Sequence, residues 1–140
     1  MALINPAEVD VLDGEGRTPL IHAVICGKME IVSATLAGGA NLGHQDRNGW
    51  TSLHFAVQEK RPELVEYLLA RGAITELKDV YGNTPLWRAT FDARGEYSLV
   101  RLLVAYKADP NSKNNSGKSP LDFATDIADD ALVSILKNSG

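Results

Sequence analysis

The chain has 140 residues, 44% of them hydrophobic, and 14 Lys and Arg stand against 18 Asp and Glu for a formal net charge of −4. That apolar content is too high for a disordered chain, and the acidic balance argues against nucleic acid, whose phosphates demand a basic stripe. No apolar run approaches the length of a membrane span, the opening Met1–Pro6 lacks the stretches of a signal peptide, and the single Cys26 leaves no internal disulfide, so a reducing cytoplasm is the expected location.

One pattern recurs four times in phase. Thr18-Pro19-Leu20-Ile21-His22-Ala23 is followed by Thr51-Ser52-Leu53-His54-Phe55-Ala56, Thr84-Pro85-Leu86-Trp87-Arg88-Ala89 and Ser119-Pro120-Leu121-Asp122-Phe123-Ala124, at steps of 33, 33 and 35 residues. Each copy predicts a helix start. Thr or Ser caps the first free N–H groups, and Pro suits the first helical position because its missing N–H would be unpaired there. A fixed period of this length signals stacked supersecondary units, with at least three needed for stability.

Taken in order, residues 1–12 read as the remnant of a repeat, with Leu3 and Ile4 as its last helical apolar residues and Pro6-Ala7-Glu8-Val9 as its exit. No full polar capping repeat precedes the first motif. Ile21, Ile25 and Met29 are therefore expected at an end that either the N-terminal tail covers or a partner contacts. Repeat one, 13–45, carries the turn Asp13-Gly14-Glu15-Gly16 and helices over 19–26 and 29–37. His22 is placed on or near the packed side, and Ile31-Val32 form the second apolar run. Repeat two, 46–78, has Pro62 opening its second helix, the run Leu64-Val65, and Gly72-Ala73 at the end. Repeat three, 79–113, holds Trp87 and Arg88 where repeat two has His54 and Phe55. Two extra residues fall within Asp92–Tyr97, Leu99-Val100 form its run, and Lys107 replaces the terminal Gly. Repeat four, 114–140, has Leu132-Val133, with Asp129 and Asp130 at the start of its last helix and Lys137 near the end, both favourable to the helix dipole. Its polar Ser134, Lys137 and Asn138 suit a C-terminal cap.

The T-P-L-x-x-A motif, the period, and Gly-Ala followed by an Asp-Gly turn resemble the ankyrin repeat family over nearly the whole chain. The resemblance implies an all-α solenoid of about four helix-turn-helix repeats with protruding turns, forming one domain. It also implies a role for His54 in bonding the capping Thr51, and a position for Cys26 toward the groove. Lys60 stands where the family has Gly, so a left-handed backbone there would cost on the order of 1 kcal/mol.

Residue chemistry gives no competing enzyme. His22, His44 and His54 lack metal spacing and a cysteine cluster, Gly38-Gly39 is not followed by the Lys of a phosphate loop, and no serine sits in a nucleophile elbow. Neither a metal nor another cofactor is expected. The resemblance implies a non-enzymatic module that binds a partner protein through the concave face of turns and first helices, as a monomer, without nucleic acid or membrane. Mapped onto this chain, that face comprises Arg47, Trp50, Gln58 and Glu59 in repeat two. Repeat three supplies Tyr81, Asn83, Trp87, Phe91 and Asp92, and repeat four Lys118. Trp50, Tyr81 and Phe91 are the expected energetic anchors, since hot spots are enriched in aromatics; the alternative is that such rings pack on a neighbouring turn. Two further functions stay open: an inhibitor or immunity protein neutralising a toxin or enzyme, and an assembly role through the N-terminal end.

Overall fold

The computed structural model describes residues 9–138; the remnant features at Leu3, Ile4 and Pro6-Ala7-Glu8 lie outside them. Among the described residues eight helices follow one another: α1 Pro19–Cys26, α2 Met29–Ala37, α3 Ser52–Gln58, α4 Pro62–Ala70, α5 Pro85–Phe91, α6 Ser98–Ala105, α7 Pro120–Asp126 and α8 Asp130–Lys137. No strand occurs among the described residues. The molecule is an all-helical repeat solenoid. The chain divides into two compact units, Met1–Ala73 with α1–α4 and Ile74–Gly140 with α5–α8.

The odd-numbered helices begin as the motif dictates. Thr18, Thr51, Thr84 and Ser119 are extended caps whose hydroxyl oxygens accept the amides of Ile21, His54, Trp87 and Asp122. His54 Nδ1 in turn accepts the Thr51 amide at 3.1 Å, and the Asp122 carboxylate accepts the Ser119 amide at 3.0 Å, closing reciprocal capping boxes. α1 ends at Gly27 with φ 70°, and the same left-handed link is made by Lys60 at φ 53° and Ala128 at φ 56°. There the amides of Lys28, Arg61 and Asp129 return to the carbonyls of Ala23, Ala56 and Ala124. Lys107, at φ 70°, likewise takes over the left-handed exit that Gly39 and Gly72 make after α2 and α4.

In the first unit α1 packs on α2 and α3, and α3 on α4. Leu20, Val24, Val32, Leu53, Leu64, Val65 and Leu68 form its buried core. In the second, α5 packs on α6 and α7, and α8 on α6 and α7. Leu86, Val100, Leu103, Leu132 and Leu136 are its core.

Ile21 is 1% exposed, covered rather than part of an open end, and it shares a face of α1 with Val24 three residues on. Three expectations are corrected. His22, one step round the helix, is exposed rather than packed, and its ring is spent on Asp13. Ile31 lies 47% exposed, the seam being carried by Val32. Leu99 is only half-buried, since Val100 and Leu103 occupy the inward face of α6.

Candidate partner-binding surfaces

Each repeat opens on the same turn. One side-chain oxygen of Asp13 accepts the amides of Glu15 and Arg17, Asp46 those of Asn48 and Trp50, Asp79 those of Tyr81 and Asn83, and Asn114 those of Ser116 and Lys118. The fourth residue of every turn is Gly at positive φ: Gly16, Gly49, Gly82 and Gly117. These short side chains that mimic the backbone hold the tips rigid.

Within the first unit the two turns are stitched together. The Arg47 amide donates to the Glu15 carbonyl at 3.0 Å, and Arg17 Nε donates to the buried Asp46 carboxylate at 3.3 Å. His22 Nε2 donates to the other Asp13 oxygen at 2.5 Å, and His44 Nε2 to the Gly16 carbonyl at 2.7 Å. The Arg17 amide, the His22 ring and the Glu15 amide hold the Asp13 carboxyl at about 2, against the raising effect of desolvation. Trp50 is half-buried, its ring centroid 4.9 Å from Phe55 and 5.7 Å from His54. The Arg17 guanidinium covers the Phe55 ring at 5.0 Å. Arg47, Gln58 and Glu59 are exposed, as is Cys26 on α1.

The second unit presents a larger apolar surface. Trp87 and Phe91 stack at 5.2 Å with 14° between planes, and Phe123 of α7 lies 5.8 Å from the first ring and 5.4 Å from the second. Phe91 is 42% exposed, whereas Trp87 and Phe123 are half-buried. The Trp87 indole N–H is buried and finds no hydrogen-bond partner among the described residues. At the repeat-three tip, Tyr81 is 69% exposed while the backbone beneath it is pinned: its carbonyl accepts the Asn115 amide at 2.9 Å, and the Val80 carbonyl accepts Asn115 Nδ2 at 2.9 Å. Asn83 is engaged in the same stitching, accepting Asn114 Nδ2 at 2.9 Å. Asp92 lies 3.9 Å from Arg88, and Lys118 2.7 Å from Asp126, which raises the Lys118 pKa. The Ser119 amide, with Lys113 and the Ser119 hydroxyl, holds the Asp122 carboxyl at about 2.

Of the ten mapped residues, Trp87 and Phe91 meet in one ring cluster, Tyr81 stands exposed on a pinned tip, and Asn83 and Lys118 are taken up by neighbouring side chains. Phe123 completes the cluster and was missed, although it holds the place in its motif copy that Phe55 holds in repeat two. No group of three or more His, Cys, Asp or Glu is placed to hold a metal among the described residues. No helix there is long and apolar enough to cross a membrane.

A sequence profile described as ankyrin repeats in three copies matches residues 1–79 and 38–114. The chain belongs to the ankyrin repeat family. It is 31% identical over 115 residues to the rat ankyrin repeat and SAM domain-containing protein 6, covering 81% of this chain and 13% of that protein. It is 32% identical over 124 residues to the human transient receptor potential cation channel subfamily A member 1, covering 84% of this chain and 11% of the channel. Chicken inversin is 37% identical over 81 residues, 58% of this chain and 7% of inversin. The chain thus spans a small fraction of these relatives. Ankyrin repeats are generally protein–protein interaction modules, and the family is typically non-enzymatic.

Proposed function

We propose that this chain binds a partner protein, without catalysis, through the turn tips and first helices of its repeats, with the Trp87–Phe91–Phe123 cluster as anchor. The observation that carries the reading is Phe91, stacked on Trp87 yet 42% exposed. A rigid ring held in place by other rings loses little conformational entropy on binding, and aromatic anchors dominate interface energetics. Tyr81, exposed on a tip whose carbonyls are already satisfied, adds a second contact in the same unit.

The test captures proteins from a native lysate with the wild-type chain and with Phe91→Ala, and then measures affinity for whatever the wild type retains. A hot-spot loss of about 2 kcal/mol weakens that partner by more than tenfold while helix content and midpoint stay near wild type. Unchanged affinity in Phe91→Ala, or unfolding as severe as that of Leu103→Ala, would overturn the reading.

A further inference from the structure

The first unit has a second surface, on the side of its second helices, that the reading above does not use. Between α2 and α4 lies an open groove of about 720 Å³. Ala34, Ala37, Leu36 and Leu42 line it with apolar atoms, and Tyr67 and Arg71 of the α4 end complete it. Among the described residues that line it, Arg71 is the one charged side chain. Its guanidinium carbon sits 3.6 Å from the centroid of the Tyr67 ring, so the group is held flat by a cation–π contact. No carboxylate lies within ion-pair distance of Arg71 among the described residues, and its side chain donates no hydrogen bond there. A planar fork of N–H donors stacked on Tyr67 beside the alanines of α2, without a carboxylate partner among the described residues of a chain of net charge −4, is complementary to a carboxylate carried next to an aliphatic side chain.

We propose that this groove docks an acidic, aliphatic segment of a partner protein, with an Asp or Glu bidentate on Arg71 and a Leu- or Ile-like side chain against Ala34 and Ala37. The small alanines let a backbone approach closely, and the volume falls in the range of sites that take a few side chains. A single cation on an acidic chain is too little for an anionic membrane surface, which needs several basic residues to hold a protein. The second unit supplies an internal comparison. Its groove between α6 and α8, of about 480 Å³, also has one charged lining residue, Arg101, but no aromatic ring to hold it.

The experiment pans a display library of random peptides of about 16 residues against the intact chain, and measures the affinity of enriched peptides for four variants. The expected peptides place Asp or Glu within three or four residues of Leu or Ile. They lose about tenfold or more in affinity on Arg71→Gln and on Ala37→Trp, which fills the groove, and keep it on Arg101→Gln and Phe91→Ala. Arg71 is exposed, so Arg71→Gln keeps the fold even if Ala37→Trp does not. The proposal is overturned if no peptide is enriched, if enriched peptides lack carboxylates, or if binding survives Arg71→Gln. Binding of phosphatidylserine-rich vesicles that is lost in Arg71→Gln would also overturn it. Because Phe91→Ala is scored separately, failure here leaves the aromatic anchor standing, and the converse holds.

Discussion

At Gly82 two constraints meet on one α-carbon. Its φ of +81° is a left-handed conformation, and a Cβ built there would lie 2.6 Å from Asn115 Oδ1 and 2.7 Å from the Asn115 nitrogen. That nitrogen donates to the Tyr81 carbonyl, and the Nδ2 of the same side-chain amide donates to the Val80 carbonyl. Gly117 has a similar φ of +77° with nothing within 4 Å of the same added atom. Gly117→Ala therefore isolates the backbone strain, roughly 1–2 kcal/mol. Gly82→Ala should cost distinctly more, since Asn115 must move as well. Lys60 already carries that strain at φ 53°, so Lys60→Gly should gain up to about 1 kcal/mol despite the greater freedom of its unfolded chain. Urea unfolding of the three variants decides it: equal losses at Gly82 and Gly117 would mean that Asn115 does not clamp the repeat-three tip.

The first helices were legible because their signal is local. A hydroxyl cap, Pro at the next position and Leu beyond it act within one turn of helix, and the structure places caps at all four expected residues. Lys60 could be read the same way, from its place in the repeat. What was illegible depends on residues beyond one turn of helix, nine positions apart for Asp13 and His22 and 32 for Tyr97 and Asp129. Nothing in the neighbourhood of Phe123 says that it touches Phe91, and nothing near His22 says that Asp13 has turned its second oxygen toward it. The two-residue insertion before α6 is the clearest case. Arg94 and Gly95 adopt positive φ, and Tyr97 ends the loop with its hydroxyl donating to both oxygens of Asp129, at 2.8 and 2.9 Å. Asp129 also caps α8 by accepting the Leu132 amide at 3.1 Å, so one carboxylate joins the starts of α6 and α8. That bond raises the Tyr97 pKa, its stabilising effect being present at neutral pH and lost as the phenol ionises in alkali. Tyr97→Phe should lower the thermal midpoint by removing one partner, and Asp129→Ala should lower it further by removing the cap too. A Tyr97→Phe midpoint identical to wild type would reduce the insertion to a passive loop.

Over the whole molecule, the pH response should follow the carboxylates that the fold holds below their ordinary value of about 3.9. Asp13 and Asp122 are both held at about 2, each by a backbone amide first and a cationic or imidazole partner after it. A depressed folded-state pKa means that the unfolded chain binds protons first. The stability each group contributes is therefore full above about pH 4 and is lost as the pH falls toward about 2. The two sites differ in what an amide can replace. Asn114 already makes the turn of repeat four with a neutral side chain, so Asp13→Asn should keep its turn and lose only the His22 pairing. Asp122→Asn loses the charge that meets Lys113 as well as the ionised acceptor for the Ser119 amide. The expected result is a lower stability at pH 7 for Asp122→Asn than for Asp13→Asn, with a shallower fall between pH 4 and 2 in both than in the wild type. Circular dichroism during acid titration measures it. Wild-type slopes in both variants would show that neither carboxylate is linked to folding, and that the turn and cap hydrogen bonds hold as well protonated as ionised.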